Sequence, residues 1–225
     1  TQVEIIPSRQ WYIDVLTERE RFYQAADEIN WFPPSMKKRY QSWVENLKWN
    51  WCISRQRYFG DPFPVSYCRE CGKPVLAEER ELPINPAEAS YHGVCCCGCR
   101  VFVPETAVFD TWETSSLTPL LNARIGEKGQ RDYLLPMSMR TQAHEIIRTW
   151  AFYTIVKSLY HTGRLPWRDI MICGFVLAKK GEKISKSKGN GGISPKDLVQ
   201  KYSADALRYW AANARLGTDT FFAED

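Results

Sequence analysis

The sequence predicts an α/β fold that carries a small cysteine-rich insert. Segments of helical apolar period alternate with a short apolar run, Ile170 to Ala178, of the kind found in parallel strands buried on both faces. Six of the eight cysteines fall between Cys68 and Cys99, and 225 residues suffice for one large core with a small addition. Hydrophobic residues at 44% and charged residues at 25% match ordinary globular chains, which excludes disordered and collagen-like classes. A net charge of +4 is too mild to mark a nucleic-acid binder, so any RNA contact must be local. No apolar stretch approaches the roughly 18 to 20 residues a bilayer requires, and the opening TQVEIIPSRQ has no basic-then-apolar leader, so a cytoplasmic protein without membrane contact is expected.

Along the chain, Leu16, Phe22, Ala25, Ala26 and Ile29 recur at helical spacing until Pro33-Pro34 stops the run. A second helix follows Ser35, with Tyr40, Trp43, Val44 and Leu47 on one face. Between Glu70 and Arg100 the composition turns to Gly, Pro, Cys and charge, which sets an insert over residues 67–103 that folds around a metal. FDTWETSSLTP reads as a strand end followed by a loop. Thr141 to Tyr160 carries Ile146, Ile147, Trp150, Ile155 and Leu159 at helical spacing, and Ile170 to Ala178 is the buried strand. A Lys/Gly/Ser loop comes next, then a helix opened by Ser194-Pro195-Lys196-Asp197 and a further helical run, Ala204 to Arg215.

Two motifs carry chemistry. Cys68-Arg-Glu-Cys71-Gly72 sets two thiolates on a tight turn, able to face one Zn²⁺ at about 2.3 Å. CCCGC completes the set with Cys96 and Cys99, whose spacing repeats the first pair, or with Cys95 and Cys97 followed by Gly98; His92 is a possible substitute for one sulfur. Four thiolates leave no open position, so the metal would be structural. The isolated Cys52 and Cys173 read as small buried hydrophobes. The second motif, GEKISKSKGN at residues 181–190, reads on composition alone first as a solvated lysine loop and only second as a loop that closes on polyphosphate, and it is not a Walker loop.

KISKS resembles the Lys-Met-Ser-Lys-Ser signature of class I aminoacyl-tRNA synthetases, with Ile184 in the Met place. RQWYID, NWCISRQRYFGDPFPVSYC, FDTWETSSLTP, AHEIIRTWAFY and KISKSKGN follow in the order found in the valyl branch of that family and span nearly the whole chain. The resemblance implies half of a split Rossmann-like catalytic domain with a zinc-ribbon-like insert. The histidines His92, His144 and His161 do not form the His-x-Gly-His signature of the first half, so the second half is implied. On this division, residues 1–66 begin that half, 67–103 are the insert, 104–200 carry the phosphate loop, and 201–225 start the helical region beyond. It also implies a monomer that joins valine to tRNA(Val) using ATP with Mg²⁺, the fragment alone being inactive. Lys183 and Lys186 would be catalytic, with Gly174, Ser185 and Ser187 joining them at ATP. Trp112, Ile146 and Trp150 would line the amino-acid pocket, with Glu145, where the family usually has Asp, at the ammonium. Glu113 beside Trp112, Phe175 in place of a usual His and Ala178 in place of an acid are further departures.

Overall fold

The computed structural model describes every residue except 1, 2, 5, 6, 90, 92, 127, 180, 192, 193 and 222–225, so His92 lies outside the described residues. The elements run β1 (Tyr12–Ile13), α1 (Arg19–Ala25), β2 (Asn30–Phe32), α2 (Ser35–Glu45), β3 (Trp51–Cys52), β4 (Ser54–Arg55), β5 (Val65–Cys68) and β6 (Pro74–Leu76). Next come β7 (Phe102–Pro104), β8 (Val108–Phe109), α3 (Thr111–Ser115), α4 (Thr118–Asn122), β9 (Met137–Ala143), α5 (Phe152–Thr162) and β10 (Trp167–Cys173). The last are β11 (Val176–Lys179), β12 (Glu182–Lys183), α6 (Pro195–Tyr202), α7 (Ala204–Ala212) and β13 (Thr220–Phe221). They gather into two units, residues 1–17 with 48–115, and residues 18–47 with 116–225.

The first unit is built from short antiparallel pairings: β1 with β3, β4 with β8, and a three-stranded sheet ordered β6-β5-β7. Strands this short need side-chain packing to hold them. Phe63 supplies it, stacked on Phe109 at 3.8 Å and on Trp11 at 5.8 Å between ring centroids. The Trp11 indole N–H donates to Glu105 at 2.8 Å, giving the half-buried ring a polar partner. In the cysteine-rich region the apolar packing is little more than Cys68, Cys95 and Cys99 against Phe102.

The second unit centres on a parallel sheet ordered β2-β10-β9, with Ile170 and Ile172 of β10 fully buried. Phe22 of α1 meets Phe152 of α5 edge-on at 6.0 Å, and Tyr40 of α2 sits 5.5 Å from Trp31 and 6.2 Å from Phe152. The Tyr40 hydroxyl donates to the Phe22 carbonyl at 3.0 Å, so its polar end is satisfied inside the core. Among the described residues no helix is long and apolar enough to cross a membrane.

Several expectations change here. The first helix is shorter than the Leu16–Ile29 pattern: Phe22 and Ala25 are buried, but Leu16 is exposed, and Asn30–Phe32 forms a parallel strand too short to show a period. The loop expected within FDTWETSSLTP is two short helices. The Asp110 carbonyl accepts the backbone N–H groups of Glu113 at 2.9 Å and Thr114 at 3.2 Å to start α3, and Pro119 enters the first turn of α4, where no N–H is needed. Thr141 to Ala143 extend β9 instead of opening a helix, and a 3₁₀ turn (His144–Ile146) and a π-helical turn (Ile147–Ala151) lead from them into α5. The run Ile170 to Ala178 breaks at Gly174-Phe175, and β11 joins a second sheet ordered β12-β11-β13. Cys52 is half-buried and Cys173 exposed, because Cys173 is the last residue of β10 and on the face opposite Ile170 and Ile172. The Ser194 hydroxyl caps α6 by accepting the Asp197 N–H at 3.2 Å, as its sequence predicts.

Candidate active site and metal centre

The strands β11 and β12 form a hairpin that delivers the KISKS segment. Lys183 lies on β12, Lys186 opens the 3₁₀ turn Lys186–Lys188, and the Ser185 and Ser187 hydroxyls are 2.8 Å apart. Asn190 closes the loop from inside. Its side-chain oxygen accepts the Ser185 N–H at 2.7 Å, and its amide donates to Glu182 at 2.8 Å and to the Lys183 carbonyl at 3.1 Å. The sequence reading did not single out Asn190; an Asn at the end of a Gly/Ser/Lys loop is the signal that would have found it.

Phe175 ties this hairpin to the end of β9. The Lys183 ammonium lies 3.8 Å from the Phe175 ring centroid, and the His144 ring meets the same ring edge-on at 4.3 Å. Asp219 accepts the Phe175 N–H at 2.8 Å and contacts His144 Nε2 at 3.1 Å; these two hydrogen bonds, the backbone one first, hold its carboxyl below the ordinary value. Gly174 sits where a Cβ would run into the Thr218 carbonyl, so its smallness serves this close backbone approach.

Glu145 and Ile146 occupy the 3₁₀ turn at the C-terminal end of the parallel strand β9, where parallel sheets place their ligands. Trp150 follows in the π turn, a local geometry frequent at functional sites. The core face of this segment belongs to Ile147, Ala151 and Ile155, all fully buried, whereas Ile146 and Trp150 are half-buried and Glu145 is exposed. Ile146 and Trp150 are therefore not a core stripe. Trp112 is half-buried on α3 of the first unit, next to a buried Glu113.

In the cysteine-rich sheet, the sulfurs of Cys68, Cys71, Cys95 and Cys97 all lie within 4.8 Å of one another. Of the two pairs that CCCGC offers, Cys95 and Cys97 join the first pair, in place of Cys96 and Cys99. The Cys95 carbonyl accepts the Gly98 N–H at 2.8 Å, and Gly98 takes a positive φ of 86°, so the tight turn projects Cys95 and Cys97 together. Cys99 instead turns its sulfur to the backbone of Val101, at 3.3 and 3.4 Å, and Cys96 is exposed beside Lys73. Sulfur separations of 3.5 Å for Cys68–Cys97 and for Cys71–Cys95 approach the edge of about 3.8 Å that four 2.3 Å zinc–sulfur bonds define at tetrahedral angles. The backbone N–H groups of Cys71 and Glu70 pull the Cys68 thiol down to about 6, whereas Cys71, Cys95 and Cys97 lie above the ordinary thiol value, so only the first sulfur is prepared as a thiolate before a metal binds. The donor set thus fits a closed tetrahedral zinc site.

A family model described as tRNA synthetases class I (I, L, M and V) matches residues 4–223. The chain is 47% identical over 232 residues to a valine–tRNA ligase of Wolbachia sp. subsp. Brugia malayi, covering 99% of this chain and 27% of that protein. It is 47% identical over 223 residues to a valine–tRNA ligase of Methanosarcina barkeri, covering 99% of this chain and 25% of that one. Among solved structures, Mycobacterium tuberculosis methionyl-tRNA synthetase with methionyl-adenylate superposes with a TM-score of 0.67 at 19% identity, over 96% of this chain and 35% of that one. An Agrobacterium radiobacter LeuRS–tRNA–LeuAMS ternary complex gives 0.61 at 24% identity, over 79% and 25%. The chain spans about a quarter of the length of the curated relatives it matches.

Proposed function

Because this chain belongs to the class I tRNA synthetases, we propose that it is the phosphate-loop half of the catalytic domain of a valine–tRNA ligase. At a quarter of its relatives' length it is not the C-terminal half of such a protein. Identity of 45–47% along 99% of the chain, to bacterial and archaeal proteins that are all named valine–tRNA ligase, carries the reading. A zinc-ribbon RNA-binding module without chemistry leaves that match unexplained. The division into residues 1–66, 67–103, 104–200 and 201–225 belongs to the same proposal.

In this reading the valine carboxylate oxygen bonds to the α-phosphorus of ATP, the bond to the bridging oxygen breaks, and pyrophosphate leaves with the charge. Lys183 and Lys186 meet that growing charge, which stabilises the transition state more than the ground state. Ser185, Ser187 and Gly174 complete the ATP side, with Mg²⁺ accompanying the nucleotide. Glu145 offers the ammonium a carboxylate, and Ile146 and Trp150 offer apolar contact on the same segment. Trp112 belongs to the other unit and is assigned to the amino acid by resemblance alone. Cys68, Cys71, Cys95 and Cys97 would hold a zinc ion that crosslinks two turns. The enzyme would transfer valine to tRNA(Val), as a monomer in the cytoplasm. Valine-dependent ATP–pyrophosphate exchange by the full-length enzyme tests the reading: a preference for another amino acid would overturn it.

A further inference from the structure

Arg140 of β9 is 8% exposed, and its Nη1 is buried without a hydrogen-bond partner. Among the described residues it has no carboxylate partner, and burial lowers its pKa to about 10. A cation in that position costs free energy unless something replaces its lost water. Two indoles do so in part: the guanidinium carbon lies 3.5 Å from the Trp150 ring centroid and 4.6 Å from that of Trp167. The two rings are not equally fixed. Trp167 is 1% exposed and stands at the start of β10, the central strand of the parallel sheet, whereas Trp150 is half-buried in the π turn. Both indoles border a cavity of about 230 Å³ lined also by Arg140, Met137, Met139 and Thr141, but only Trp150 has the exposure to move into it. That space is on the scale of an indole ring, so Trp150 has somewhere to swing, and Arg140 stacks across its face.

We propose that Arg140 is a positioning residue for the amino-acid site, a planar cation bridging Trp167 and Trp150 that holds the Trp150 indole in place. This rests on the reading that Trp150 borders valine. The test is a double-mutant cycle in the full-length enzyme, with Arg140→Met, Trp150→Ala and their combination measured for the KM of valine and of ATP in pyrophosphate exchange. Arg140→Met is expected to raise the valine KM about tenfold, leave the ATP KM unchanged, and add nothing once Trp150 is Ala. If Trp150→Ala leaves the valine KM unchanged, the pocket reading fails. If Trp150→Ala raises it while Arg140→Met does not, or raises it equally in both backgrounds, Arg140 has no positioning role and the pocket reading stands. A parallel rise in the ATP KM would mark general loosening and count against the proposal as well. Should Arg140→Met not fold, Arg140→Lys keeps the charge without the planar face and carries the same cycle with a smaller expected coupling.

Discussion

In the proposed reaction, Lys183 and Lys186 would separate binding from chemistry. A cation that meets charge only as pyrophosphate leaves contributes little to holding valine beforehand. Lys186→Ala in the full-length enzyme should therefore slow adenylate formation about a hundredfold, with the valine KM nearly unchanged. Loss of valine affinity at an unchanged rate, measured by the same exchange assay, would contradict the role. Gly174 makes a different demand. The Thr218 backbone that a Cβ would strike has little room to withdraw, since Gly217 N–H donates to the Ile172 carbonyl and Thr220 N–H to the Phe175 carbonyl, both at 2.9 Å. Gly174→Ala should lower stability by about 1 to 3 kcal/mol, read as a drop in Tm. The proposal for the lysines starts from the sequence, where a charged signature declares itself. Arg140 and Asn190 were not legible there, since their importance lies in what they touch: two indoles in one case, the inside of a loop in the other.

At the scale of elements, legibility followed length. The helix after Ser35 shows its face because Tyr40 and Val44 recur within eleven helical residues. The three residues of β2 offer no period, and their pairing with β10 is decided 139 residues away, as the Asn30–Asp169 hydrogen bond illustrates. The metal turns show the same limit, for spacing alone left the second pair open until the Gly98 turn selected Cys95 and Cys97. Elemental analysis should find one zinc per chain after purification without chelator. Cys71→Ser should lose the metal, whereas Cys96→Ser should keep it. A second prediction for this unit concerns acid. Partial burial alone would raise the carboxyl of Glu105, yet hydrogen bonds from Tyr67, Ala107, Trp11 and Thr106 outweigh it and hold the group below its ordinary value. A depressed carboxylate contributes stability that is full above the unfolded value of about 4.3 and fades as pH falls through the folded one. Denaturation compared between pH 6 and pH 3 should therefore show the chain losing more stability than Glu105→Gln does. Equal losses would mean that the four donors do not favour the charged form.

For the whole molecule, family was legible where the site was only partly so, because an ordered run of short motifs survives any uncertainty about single strands. The family match runs over residues 4–223, and a TM-score of 0.67 at 19% identity is what a shared backbone with divergent side chains gives. The parallel sheet bears on what the chain can do alone. In the order β2-β10-β9, strand β9 is paired on one side only among the described residues, although Glu145 and Ile146 follow its C-terminal end and Arg140 lies along it. Parallel strands are normally flanked and covered on both faces, and an open edge leaves a row of backbone N–H and C=O groups without strand partners. The His-x-Gly-His signature that the resemblance implies for ATP also has no counterpart in this sequence, since none of His92, His144 and His161 is in that arrangement. The isolated 225-residue chain should therefore fold cooperatively, with β10 amides exchanging more slowly than those of β9, and yet give no valine-dependent pyrophosphate exchange under conditions where the full-length enzyme does. Robust exchange by the chain alone would show that these residues already hold a complete nucleotide site, and the assignment to one half of a divided catalytic domain would have to be abandoned.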